Sequence, residues 1–261
     1  MSSPVVWTFS VQTTGVFCSV NKTVIDEIFY LQREERVQFL LNLFKAKSKN
    51  SPIEFKAVLN CAKKISSEDI KLLINSLAKK KQLELIGSIS AANNSHFNHA
   101  RKGEDLFFNI YDELPNGKLI NSLFNELDAK DKKVDLKTDM VFAWPWERKR
   151  LSTCSTYIGR ENAWGEWKED PLNHFIILWE PFGFSWVKGG NHSISIGVLR
   201  EGGKLSPREY YDVSPLFDHI YTDGLNYYFK ETDKAFSKVY EYDFALIFEL
   251  GRIMHSREAN T

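Results

Sequence analysis

The residues best equipped for chemistry stand together in Lys188-Gly-Gly-Asn-His-Ser193, between the apolar runs Phe184-Ser-Trp-Val187 and Ile194-Ser-Ile-Gly-Val-Leu199. The pattern reads as a strand, a two-glycine turn and a short helix whose first turn carries Asn191, His192 and Ser193. Glycine accepts positive φ and lets a ligand approach the backbone closely, so Gly189 and Gly190 can deliver the chain into that helix. The leading N–H groups of a helix lack internal partners, and the helix dipole favours negative charge beside them. A phosphate or carboxylate suits this spot. His192 adds an imidazole able to act as general acid or base, and Asn191 or Ser193 can cap the helix or hold the anion. The same residues also fit an ordinary strand–turn–helix join with a capping Asn and a hydrogen-bonded surface histidine.

A second constellation is Tyr157-Ile-Gly-Arg-Glu-Asn-Ala-Trp-Gly-Glu-Trp-Lys-Glu-Asp170. Arg160, Trp164 and Trp167 could contact a base or sugar, because aromatics interleaved with charge can stack a planar ring. The alternative is a Trp-anchored loop that covers a sheet. Asn173 and His174 open the next strand, where alternate positions reach opposite faces. Glu180 ends that strand and is expected close to the turn, as a base or magnesium ligand. His96 and His99 stand three apart, as two metal ligands on a helical turn would, but no acidic or cysteine partner lies close in sequence. No metal site is predicted. Standard phosphate, dinucleotide, zinc-protease and serine-hydrolase motifs are absent from the sequence.

Several elements must position these residues. Apolar spacing predicts helices over 22–48, over Pro52–Ile65, from a Ser66-Ser-Glu-Asp69 start to a Lys79-Lys80-Lys81 end, over Gly117–Leu127 and near 233–256. Residues 88–103 read as a polar surface loop and Asp128–Lys137 as a charged connector. From Met140 onward the texture becomes short aromatic strands, with Leu172–Trp179, Phe184–Val187 and Tyr227–Phe229 as candidates and Glu180-Pro-Phe-Gly183 as a turn. Six of the seven tryptophans lie between Trp144 and Trp186. The expected fold is α+β. A helical layer (1–137) precedes a small mixed sheet with the strand–turn–helix unit and a C-terminal helix (138–261).

The 34 basic and 34 acidic side chains balance. Residues 1–137 carry 20 against 16, and 138–261 carry 14 against 18. An asymmetry of +4 and −4 is too small to argue for a nucleic-acid footprint. Cys18, Cys61 and Cys154 form no C-x-x-C pair and read as free thiols. No apolar run reaches the roughly 18 residues of a membrane span, and the first residues lack the character of a signal peptide. A cytoplasmic protein is expected.

The segment Lys188–Gly202 resembles the signature of the ParB/sulfiredoxin-like superfamily, in which a strand ends in a Gly-x-His-Arg or Gly-x-Arg-Arg turn and enters a helix. The upstream Val141-Phe-Ala-Trp-Pro-Trp-Glu-Arg-Lys-Arg150 is similar to the Pro-containing, Arg-ending first segment of such domains. The likeness covers about 138–204. It implies that the turn binds nucleotide phosphates, as in CTP-binding partition proteins, ATP-dependent sulfiredoxin, free-serine kinases and some nucleases. Ser193 stands where that family places arginine, a strong bidentate phosphate ligand. Asn191 replaces sulfiredoxin's cysteine, so sulfinic-acid reduction is not implied. Arg148 or Arg150 would supply the missing charge. The chain also resembles an uncharacterised bacterial family with the same Trp-rich, Asn-His-Ser pattern.

Two functions are therefore expected in competition. In the first, a nucleotide or nucleic-acid phosphate sits on Gly189–Ser193, held with Arg148 or Arg150. His192 and Glu180, with a nucleoside triphosphate and magnesium, would then carry phosphoryl transfer or hydrolysis. In the second, the turn is structural or senses a ligand, and the helical N-terminal region contacts a protein partner in a bacterial or phage defence or toxin system.

Overall fold

The computed structural model describes residues 52–91, 96, 99, 101, 103–159 and 161–258. The helical pattern expected over 22–48, and Arg160, lie outside them. Ser66 starts the long second helix as its sequence suggests. Its Oγ accepts the Asp69 N–H at 3.1 Å and donates to Asp69 Oδ2 at 2.7 Å. The described elements are α1 (Pro52–Ala62), α2 (Ser67–Ala91), β1 (Asn125–Glu126), β2 (Val134–Asp135), β3 (Met140–Phe142), α3 (Arg148–Tyr157), β4 (Phe175–Glu180) and β5 (Phe184–Gly189). There follow α4 (Asn191–Leu199), β6 (Lys204–Leu205), β7 (Glu209–Asp212), α5 (Leu216–His219), β8 (Ile220–Thr222), β9 (Asn226–Phe229), β10 (Lys234–Lys238) and α6 (Tyr242–Glu258).

The protein is α+β, with a mixed five-stranded sheet in the order β1-β7-β4-β5-β3. β4 and β5 form an antiparallel hairpin, while β3 runs parallel to β5 and β7 parallel to β4. Side chains alternate between the two faces, as strand geometry requires. Phe142, Trp179, Phe184 and Trp186 join one core with Phe244 and Phe248 of α6 and the buried stripe of α2. Val141, Ile176, Leu178 and Val187 face the other way, against Ile194, Ile196 and Val198 of α4. The sheet is thus filled on both faces, and α4 is the element that carries the glycine turn across one of them. Residues before and after position 138 share this core, since β1 pairs with β7, β2 with β6, and α2 packs on α6 and β3.

Four expected boundaries are corrected. The triple lysine does not end α2, which runs ten residues further because Gln82, Ile86 and Ile89 extend its buried stripe. Gln82 donates to Val141 O at 3.1 Å, and Lys80 and Lys81 reach Asp243 and Glu241 at the start of α6, each at 2.7 Å. The helix expected over Gly117–Leu127 is instead a single 3-10 turn, Ile120–Leu123, leading into β1. Only Ile120 in that turn is buried, so the periodic pattern has no core to face. The C-terminal helix begins at Tyr242 rather than near 233, because Lys234–Lys238 pairs with β9, where Phe236 stacks on Phe229. The charged connector likewise contains β2.

Candidate functional site

β5 ends at Gly189, and Gly190 turns the chain into α4 with φ +78°, a left-handed conformation natural to glycine. The space also demands glycine. A Cβ on Gly189 would stand 2.7 Å from Asn173 O, and one on Gly190 would overlap the His174 ring. No side chain caps α4, so neither Asn191 nor Ser193 takes the expected capping role at its start.

Each polar side chain of the turn is instead bonded elsewhere. Asn191 is buried and its Oδ1 accepts the Trp144 N–H at 2.9 Å, tying α4 to the chain leaving β3. Ser193 Oγ lies 2.7 Å from His174 Nε2 and donates to Gly190 O at 3.1 Å. Because His174 Nδ1 accepts the Asp170 N–H at 2.9 Å, a neutral His174 ring carries its proton on Nε2 and donates to Ser193. That tautomer cannot take a proton from the serine, so the pair is wired as a brace and not as nucleophile and base. Trp167 completes the brace, stacked on His174 at 5.0 Å and donating its indole N–H to Ser193 O at 2.8 Å.

His192 is 7% exposed, and its Nε2 accepts the backbone N–H of Glu147 at 3.1 Å. The neutral ring therefore carries its proton on Nδ1. His192 also lines the cavity described below. Burial pushes the His192 pKa below its ordinary value, the Arg150 cation pushes the same way, and Glu147 opposes them. Burial likewise lowers His174, against Asp170 and Glu169.

Opposite α4 stands α3, which begins Arg148-Lys149-Arg150 and buries none of its residues. Its first turn has no acidic residue and no capping side chain, an arrangement that sets cations against its own dipole. Arg150 Nε pairs with Glu147 Oε2 at 2.8 Å. At the far end, Arg200 NH2 donates to Ser155 O at 3.0 Å. A cavity of about 650 Å³ opens between α3, the first turn of α4 and the loop before β4. Gly190, Asn191, His192, Ser193 and Arg150 line it, together with Trp164 and Trp167. Trp164 is 58% exposed and stacks on Tyr157 at 5.0 Å, forming an aromatic rim, whereas Trp167 is buried wall.

The fold thus gathers most of the expected site and separates the rest. Arg148 does not line the cavity; its guanidinium lies 3.4 Å from Ile89 O. Glu180 is corrected outright. It sits at the opposite end of β4 from the turn, because the hairpin register pairs Phe175 with Gly189 and Trp179 with Phe184. There it meets Lys132 Nζ at 3.2 Å and Tyr210. His99 is buried and bonded to Pro145 O, and among the described residues no group of three or more His, Cys, Asp or Glu is placed to hold a metal. Cys154 lines the cavity, but burial raises its pKa, the reverse of an activated thiolate. Sequence reasoning missed Glu147 and Lys149, which line the cavity, and Tyr157, whose ring backs Trp164. Only the unbroken basic run beside Glu147 hinted at them.

Fold and site together define an α+β protein with a polar cleft at the start of a glycine-led helix. The chain belongs to a family of unknown function (DUF6710), whose profile matches residues 40–261. No curated protein and no solved structure matches the chain.

Proposed function

We propose that the cleft binds a phosphate-bearing ligand of nucleotide size, and that it binds more than it transforms. One observation carries this reading: the uncapped first turn of α4 lines a cavity of about 650 Å³ that also holds Arg150, Lys149 and Lys168. Backbone N–H groups and the helix dipole favour an anion there. Trp164 supplies a ring face for a base at the rim. The likeness of the turn to ParB/sulfiredoxin-like domains supports the same ligand class.

Binding is favoured over turnover because both cavity histidines accept a backbone N–H on one nitrogen, and because Glu180 is remote. This supports the ligand-sensing form, with a nucleic-acid end or a protein partner of the N-terminal region as further binders. The chemistry of magnesium suits a site where oxygen ligands are few, since it keeps several waters. A magnesium ion would enter held mainly by the ligand's phosphates. No helix of the described residues is long and apolar enough to cross a membrane. A cytoplasmic site of action, where nucleotides and free thiols coexist, belongs to this reading.

A thermal-shift series with ATP, CTP, GTP and their diphosphates, with and without magnesium, tests it. A ligand at 100 times its Kd stabilises the native state by about 2.7 kcal/mol. The shift should vanish in Arg150→Ala and survive in Arg148→Ala. Absence of any shift across the series refutes the reading.

A further inference from the structure

We propose that His192 is a positioning residue that works as a neutral acceptor, setting Arg150 at the cleft through Glu147. The inference rests on the phosphate-cleft reading and changes what its histidine does. A chain of two contacts carries it. His192 Nε2 accepts the Glu147 N–H at 3.1 Å, and the Glu147 carboxylate holds Arg150 Nε at 2.8 Å. Glu147 is the N-cap of α3, so the first contact holds the chain where it enters that helix.

α3 needs such fixing. None of its ten residues is buried, and its first turn of three basic residues opposes its own dipole. Leu151 and Cys154 are only partly buried, and hydrogen bonds at its two ends, Glu147 to His192 and Arg200 to Ser155, tie it to α4. Trp146 seats the imidazole edge-on at 4.4 Å, so the ring meets Glu147 in one orientation.

Protonation at Nε2 destroys the acceptor and turns the ring's donor toward a donor. The consequence has an unusual sign. A histidine that grips phosphate directly as a cation strengthens binding when acidified. A histidine that positions Arg150 as an acceptor weakens binding when acidified. Other charges share the cavity: Glu147, Lys149 and Arg150 from α3, and Glu166, Lys168 and Asp170 from the loop before β4. His174 faces it too, and the ligand's own phosphate titrates. A comparison with a variant that keeps an acceptor but cannot titrate removes these shared terms.

His192→Gln is that variant, since its amide oxygen can occupy the region of Nε2. ATP binding is measured by titration calorimetry for wild type and His192→Gln from about pH 7.5 to about pH 5, a span that crosses the ordinary imidazole value near 6.5. At the upper pH, His192→Gln should bind within about threefold of wild type, while His192→Ala loses at least about tenfold, equivalent to roughly 1.4 kcal/mol. On acidification, wild type should lose affinity relative to His192→Gln. A relative gain for wild type, or failure of the folded Gln variant to bind, overturns the proposal. If neither protein binds any nucleotide, the phosphate reading fails by itself. Hydrogen exchange of the ligand-free protein then decides the positioning role. The Glu147 amide should lose protection in acid in wild type and keep it in His192→Gln, and equal behaviour refutes the role.

Discussion

Gly190→Ala puts the brace beneath the turn to a quantitative test. The residue holds φ +78°, and an L side chain in the left-handed region costs about 1–2 kcal/mol. The added methyl also overlaps His174 Cδ2. That ring cannot retreat freely: Trp167 stacks on it at 5.0 Å, and its nitrogens are tied to the Asp170 N–H at 2.9 Å and Ser193 Oγ at 2.7 Å. Overpacking of this kind costs about 1–3 kcal/mol, with each net hydrogen bond at stake worth about 1. With one such bond lost, the expected cost is about 3–6 kcal/mol, a large share of the roughly 5–15 kcal/mol typical of a domain. Urea unfolding followed by circular dichroism and Trp fluorescence measures it. Gly87→Ala is the control, since no atom lies within 4 Å of its added Cβ in α2, and it should gain about 0.5–1 kcal/mol. In a His174→Ala background the Gly190→Ala cost should shrink to the backbone term of about 1–2 kcal/mol. An unchanged cost in that background would refute the idea that the imidazole is what the glycine accommodates.

Other consequences follow from the same structure. Burial pulls Lys81 down, yet hydrogen bonds to Glu241 and Glu84 and the charge of Asp243 win and hold its pKa well above the ordinary lysine value. Lys81→Ala loses the 2.7 Å bond to Glu241 and a 3.6 Å contact with the nearly buried Asp243, which keeps Lys80 at 2.7 Å, and should cost about 1–2 kcal/mol in urea unfolding. Lys204→Ala, which loses only a 3.9 Å surface pair, should stay within about 0.5 kcal/mol. His174 and His192 both have lowered pKa values, so the unfolded chain takes up their protons first as pH falls below about 6.5. Their stabilisation is complete above that value and declines below it towards the folded values. The urea midpoint should therefore drop from neutral pH to about pH 5, and His192→Gln should flatten part of that drop; a midpoint that rises in acid would contradict both assignments. Trp167→Phe keeps a ring over His174 but loses the bond to Ser193 O, and should cost about 1 kcal/mol by the same measurement.

The turn and its helix were legible because their signals are local: two glycines, then a small-residue apolar run that can lie on a sheet. The Ser66 start was equally readable, since a serine three residues before an acid caps with atoms that lie side by side. The end of α2 was not, because lysines stop or continue a helix according to what faces them. Here Asp243 and Glu241, some 160 positions away in the chain, receive them. β10 looked helical for the same reason, as Phe236 and Val239 fit either period until β9 offers a partner. Glu180 teaches a different lesson. The turn over 180–183 is itself legible in the sequence, and a hairpin through it places Trp179 opposite Phe184, with Glu180 beside the turn and far from Gly189. Glu147 carried little signal beyond the basic run beside it, because no sequence pattern marks the backbone N–H that His192 holds.

That backbone contact explains how the fold tolerates α3. Three basic residues in a first turn are each unfavourable by about 0.3–1 kcal/mol at a helix N-terminus. A conflict between local preference and global fold is typical of functional sites. The Glu147–Arg150 pair offsets one charge, and the bonds to His192 and Arg200 hold the helix in place from α4. Arg150 and Lys149 are left lining a cavity that the start of α4 also enters. In the phosphate-cleft proposal these cations and the start of α4 attract the anion, against the carboxylates of Glu147, Glu166 and Asp170 that share the cavity. In that proposal His192 and Ser193, the obvious chemists of this sequence, serve the walls of the cleft through their bonds to Glu147, His174 and Gly190.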